Sequence, residues 1–209
     1  MAKKIKETDT STEEKIMVAA KKVFMQKGYG ATRTRDIAQE AGINLALLNY
    51  YFRSKEKLFE IIMIEKVQIL FGVLAPVVMN DQIPLQKKID LIVHNYIDML
   101  LQHPDLPIFV LSELKNNPVR FSNMIHAGSL LTQSSFVKQL HEKAPHINPL
   151  HFLMSILGMI VFPFVGRPLF QTATGMSTIL FNQMMEERRR LIPGWVQAML
   201  ESDPQHLKI

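Results

Sequence analysis

The sequence predicts an all-α protein of about nine helices: a small three-helix N-terminal domain carrying a helix-turn-helix, then a larger helical domain. Three observations predict it. Apolar residues recur at helical spacing along the chain, and no strand alternation persists. No proline occurs before Pro76, whereas all 11 lie from there on, where they punctuate helices. Residues 34–52 have the spacing of two short helices joined by a tight turn.

The first ten residues are polar and charged and read as a flexible arm. Ser11 and Glu14 have capping-box spacing. Ile16, Ala19, Ala20, Val23 and Phe24 then share one helical face, and Gly28 and Gly30 end that helix. Thr34 can cap the second helix, in which Ile37, Ala38 and Ala41 form the apolar face. Gly42 stands where the chain leaves this helix, since glycine adopts a left-handed conformation without steric cost. Asn44 is a good N-cap for the third helix, which turns Leu48, Tyr51 and Phe52 to one side. With Thr34 as position one, apolar or small residues occupy the fourth, fifth, eighth, tenth, fifteenth and eighteenth positions, and glycine the ninth. In a helix-turn-helix of this kind the second helix enters the DNA major groove.

Ser54 caps a long helix to about Val78. The shift in proline usage, with ten of 13 methionines beyond residue 60, places a domain boundary in or just after it, giving 1–56 and 57–209. Further helices are expected over about 84–102, 104–116, 118–143 (broken near Gly128), 149–165 and 176–201, with Pro168 and Gly175 separating the last two.

The order of these motifs resembles the TetR/AcrR family of bacterial transcriptional regulators. The resemblance rests on Gly28-Tyr29, the segment from Thr32 or Thr34 through Ile43, the aromatic run Asn49–Phe52, and Ser54–Leu58, and it covers roughly residues 12–60. Beyond these, only length and helical content match. It implies a cytoplasmic homodimer that binds a double-stranded operator, with a ligand-binding C-terminal half. A ligand-responsive repressor acting on a palindromic operator is the expectation. The alternatives are a helical ligand-binding or enzymatic protein without specific DNA binding, and a DNA-binding structural protein without an effector.

Charge agrees with a nucleic-acid partner. Residues 1–57 hold 12 Lys and Arg against 7 Asp and Glu, and the remaining residues hold 12 of each, so the whole net charge of +5 lies in the first segment. Lys3, Lys4 and Lys6 supply three of those charges and can equally form a solvated tail. Leu45, Ala46 and Leu47 occupy the first turn of the recognition helix and offer apolar contact to thymine methyl groups. Asn44 and Asn49 carry amides that can pair with adenine or phosphate. Arg33 and Arg35 can reach flanking phosphates or a minor groove. The resemblance puts Thr34, Tyr50, Tyr51 and Lys55 on the DNA backbone, although Tyr51 replaces the histidine common there, and Tyr51 and Leu47 can instead pack inward.

Residues 150–165 are almost continuously apolar, but shorter than the roughly 20 residues of a bilayer span and interrupted by Pro163, so no membrane partner is expected. The resemblance implies dimerisation through the last two long helices. Met154, Ser155, Gly158, Val161 and Phe162 on the first, with Ile179, Leu180, Gln183 and Met184 on the second, are the interface candidates. Between about 85 and 126, His94, Tyr96, Met99, Phe109, Phe121, Met124 and His126 suit either plain core or a cavity for an apolar or amphipathic effector. The chain has no cysteine, and His141, His146 and His151 are five apart, which helical geometry does not converge, so neither a metal nor a cofactor is expected. No nucleophile triad, P-loop or H-E-x-x-H pattern nominates a catalytic centre.

Overall fold

The structure, a computed structural model, describes the backbone over residues 2–202 and side chains from Thr12 onward, apart from Arg120 and Ala127. Twelve helical segments and no strand occur among the described residues. Three more segments than expected arise because the stretches 54–78 and 118–143 are each subdivided. The chain forms two compact units that divide between Lys66 and Val67.

The first unit contains α1 (Ala2–Ala31), α2 (Thr34–Glu40), α3 (Leu45–Phe52) and the start of α4 (Lys55–Gly72). The expected arm continues α1 along the backbone from Ala2, while the side chains of Lys3, Lys4 and Lys6 lie outside the described residues. Gly28, at φ 72° and ψ 170°, breaks α1 where the sequence placed its end. Ile16, Ala19, Ala20, Val23 and Phe24 are buried against Ile37, Ala38, Leu48, Phe52, Leu58 and Phe59 in one small core. The Phe24 and Phe59 rings meet edge to face at 5.0 Å, and Tyr29 lies 4.7 Å from Phe59.

The second unit is built around α6 (Leu85–Gln102), which packs against α5 (Ala75–Val78), α10 (Ser135–Lys143), α11 (Pro149–Thr174) and α12 (Thr178–Leu200). Helices α7 (Leu106–Asn116), α8 (Pro118–Met124) and α9 (Ala127–Thr132) complete it. Burial on several sides explains why α6 hides Ile89, Ile92, Val93, Tyr96, Ile97 and Leu100 together. It also hides Lys88, whose ammonium donates to the Ser135 hydroxyl at 2.6 Å and the Gln139 carbonyl oxygen at 3.2 Å. Desolvation holds the Lys88 pKa below its usual range, opposed by the charge of Asp81.

Helix α11 differs from expectation. It runs 26 residues, through both Pro163 and Pro168, and stops only at Gly175, at φ 68°. A proline inside a helix lacks the N–H that would bond the carbonyl four residues earlier. For Pro163 that carbonyl belongs to Met159, and the Arg188 guanidinium Nη2 of α12 donates to it at 2.7 Å. The neighbouring helix thus satisfies the acceptor that Pro163 leaves unpaired. At this length and apolarity α11 meets the bare criteria for a membrane span, so brevity is no argument against one. Its Phe152, Ile156, Ile160, Pro163 and Phe164 are nevertheless buried inside the protein, and Arg167 interrupts it. On α12, Arg188 thus bonds the interior of α11, and Arg189 pairs with Asp98 and Glu186.

Candidate nucleic-acid interface

The turn between α2 and α3 is fixed by its own backbone. Gly42 takes φ 67°, its N–H donates to the Gln39 carbonyl at 3.1 Å, and the Ile43 N–H reaches back to the Ala38 carbonyl at 3.0 Å. These two bonds form the glycine-terminated helix cap known as a Schellman motif. The N-cap of α2 is Arg33 rather than Thr34, which is the first helical residue. The Asp36 carboxylate accepts from the Arg33 backbone N–H at 3.0 Å and pairs with Lys27 at 3.2 Å. The Arg33 N–H, then Lys27, hold the Asp36 carboxyl below its ordinary pKa. Asn44 caps α3, its Oδ1 accepting from the Leu47 N–H at 2.8 Å. Ser54 caps α4 through the Lys57 N–H at 3.2 Å.

Within this frame α3 has two sides. Leu48 and Phe52 are buried. Ala46, Leu47, Asn49 and Tyr50 are exposed, Tyr50 to 75%, while Leu45 and Tyr51 are half-buried. The Tyr50 and Tyr51 rings contact edge to face at 5.3 Å. Arg33 and Arg35 are exposed at the start of α2, with Thr34 half-buried between them. The arrangement presents one small, apolar and amide-bearing helix face flanked by cations, which suits base edges in a groove and phosphates beside it.

Lys55 has a structural position. Its ammonium donates to the Tyr29 and Thr32 carbonyls, each at 3.0 Å, and lies 4.1 Å from the centre of the Tyr29 ring. It thereby ties the end of α1 to the start of α4. Arg53, outside the set the sequence nominates, is a further cation at the end of α3. It is exposed at the C-cap of α3 with a positive φ of 40°. A basic residue immediately beyond the aromatic run was the available signal.

The second unit contains an apolar cavity of about 380 Å³. Of the seven ligand candidates only Tyr96 and Phe121 line it, with Leu70, Phe71, Val110 and Leu157 among its other walls. Burial pushes the Tyr96 phenol above its usual pKa, so it stays neutral. Met99 lines a separate, more polar groove with Asn95, Asp98 and His103, and Phe109 is buried outside the cavity. Met124 is half-buried at the end of α8. His94 and His126 are exposed, His94 Nδ1 lying 2.8 Å from the Asp90 carbonyl oxygen and His126 in a left-handed conformation. The aliphatic walls are not distinguishable in sequence, because such residues resemble ordinary core.

All nine interface candidates on α11 and α12 are exposed or half-buried in the single chain. Phe162 is 61% and Ile179 72% exposed. Gly158, Val161 and Phe162 also line the apolar cavity. No cluster of three or more metal-ligating side chains occurs among the described residues.

Residues 16–62 match the model of a family described as bacterial regulatory proteins, tetR family. YttP of Bacillus subtilis (strain 168), described as an HTH-type transcriptional regulator, is 44% identical over 50 residues, 24% of each chain. IcaR of Staphylococcus aureus (strain Newman), a negative transcriptional regulator of the biofilm operon icaADBC, is 29% identical over 114 residues, 54% of this chain and 59% of that one. The matched segments thus span about a quarter and somewhat over half of those relatives. Among solved structures, the transcriptional regulator SCO4942 of Streptomyces coelicolor superposes with a TM-score of 0.62 at 19% identity, over 90% of this chain and 97% of the other. That likeness extends the shared fold into the C-terminal unit.

Proposed function

We propose that the chain, whose residues 16–62 match the model of the TetR family of bacterial regulatory proteins, is a sequence-specific DNA-binding transcriptional regulator, a cytoplasmic repressor that binds a palindromic operator as a homodimer. The observation that carries this reading is the exposed face of α3, where Ala46, Leu47, Asn49 and Tyr50 stand out on a helix anchored by the buried Leu48 and Phe52. Leu47 and Ala46 offer apolar contact to thymine methyls, Asn49 an amide to adenine, and Tyr50, Arg33, Arg35 and Arg53 donors to phosphate. The negative regulator IcaR among the relatives supports repression.

Dimerisation through α11 and α12 is supported by the apolar side chains this helix pair leaves exposed: Met154, Phe162, Leu169, Ile179, Leu180 and Met184. An apolar effector is supported by the cavity beside Tyr96 and Phe121. Leu70 and Phe71, two of its walls, belong to α4, the helix that Ser54 starts directly after the recognition segment. A ligand that displaces α4 changes the operator-bound state only in so far as it prefers another arrangement; about 1.4 kcal/mol of preference gives a tenfold change in binding.

Duplex titration by fluorescence anisotropy tests the DNA reading. Leu47→Ala should change sequence preference, Arg35→Ala should weaken all duplexes alike and reduce the salt slope by about one, and Val119→Ala, far along the chain and exposed, should do neither. Parent-like binding by both α2–α3 variants would contradict the assignment.

A further inference from the structure

Among the described residues, Arg188 is a charged group without a counter-charge. Its Nη2 donates to the Met159 carbonyl, and its guanidinium carbon lies 5.2 Å from the centre of the Trp195 ring. Its Nε is buried and has no hydrogen-bond partner, and no carboxylate of the described residues pairs with it. The adjacent Arg189, whose Nε is likewise buried without a partner, has both Asp98 and Glu186, so the missing carboxylate is what sets Arg188 apart. A guanidinium remains ionised in a protein, so partial burial without an anion is costly.

Arg188 forms the one charged wall of a cavity of about 400 Å³ between α11 and α12. The other walls include Pro163, Phe170, Met176, Phe181 and Met185, rings and thioethers that adapt to an alkyl or aryl tail. This cavity is distinct from the one beside Tyr96; only Phe162 borders both. An apolar chamber with a single cation at its wall matches an amphiphile with a single anionic head, and planar guanidinium geometry favours a carboxylate.

We infer that the α11–α12 cavity binds an amphiphilic carboxylate, with its head on Arg188 and its tail among Phe170, Phe181 and Met185. The inference does not depend on DNA binding. Phe162 and Met184 lie on the face proposed for dimerisation, so the full-length protein in its solution oligomer is the form to test.

Trp195 is the only tryptophan of the chain, and its place beside Arg188 makes its emission a local reporter. Titration with decanoate should give a saturable change in that emission. Decanol, with the same tail and no charge, should bind about tenfold or more weakly, since a hydrogen-bonded charge contributes at least that factor. Decyltrimethylammonium should not bind. Arg188→Gln, confirmed as folded by circular dichroism, should bind decanoate and decanol equally. The comparison of the three amphiphiles in the unaltered protein needs no variant, so it decides the matter even if Arg188→Gln fails to fold. Equal affinity for decanoate and decanol in the parent, the absence of any saturable response, or a folded Arg188→Gln protein that still prefers decanoate would each overturn the inference.

Discussion

Two glycines in the first unit have conformations that other residues resist, and they differ in how strongly. Gly42, at φ 67°, sits in the left-handed helical region, which costs an alanine about 1 kcal/mol. Gly28, at φ 72° and ψ 170°, lies where essentially only glycine is found, at a cost of about 2–3 kcal/mol. No atom lies within 4 Å of a Cβ built at either position, so backbone strain is the whole effect. Gly28→Ala should therefore lower the opening free energy of the α2 and α3 amides, read by hydrogen exchange, more than Gly42→Ala does. The reverse order would contradict the backbone assignment. Lys55 shows the same dependence on local geometry from another side: in sequence it stands among phosphate contacts, yet its ammonium completes the cap between α1 and α4.

At the scale of elements, the first unit was legible in the sequence because several signals agreed over a short span. The face Ile16, Ala19, Ala20, Val23 and Phe24 is buried as its spacing indicated, and Asn44 and Ser54 cap the helices they precede. Thr34 did not become the cap because Asp36, three residues beyond Arg33, satisfies the N-terminus from inside the helix. The second unit was less legible because its helix ends depend on distant partners. Pro168 read as a stop, but α11 continues to Gly175, and the carbonyl freed by Pro163 is satisfied by Arg188, 29 residues away. Tyr96 and Phe121 line the cavity while His94 and His126 do not, and its aliphatic walls, among them Leu70, Val110 and Leu157, carry nothing in a single sequence that separates them from core. The outer faces of α11 and α12 give an element-level prediction. Ile179 is 72% exposed in the single chain, so Ile179→Glu should leave the helix content unchanged while converting dimers to monomers at micromolar concentration, as seen by light scattering. Retention of the dimer by that variant would place the interface elsewhere.

At the scale of the whole molecule, the chain joins a basic segment to an electrically balanced one. Residues 1–57 hold the entire net charge of +5, and the remaining 152 carry the two cavities and the exposed apolar helix pair. That division is expected of a protein whose first part meets phosphate and whose second part meets apolar surfaces. A homodimer interface exceeding about 1,000 Å² would hold two copies in a two-fold arrangement, and the DNA it reads would share that symmetry. The most direct test is selection of bound duplexes from a random library by the full-length protein, followed by sequencing. The account predicts an enriched inverted repeat whose half-sites lie about one helical turn or more apart, lost when Leu47 and Tyr50 are both replaced by alanine. Recovery of no enriched sequence, or of one without two-fold symmetry, would contradict it.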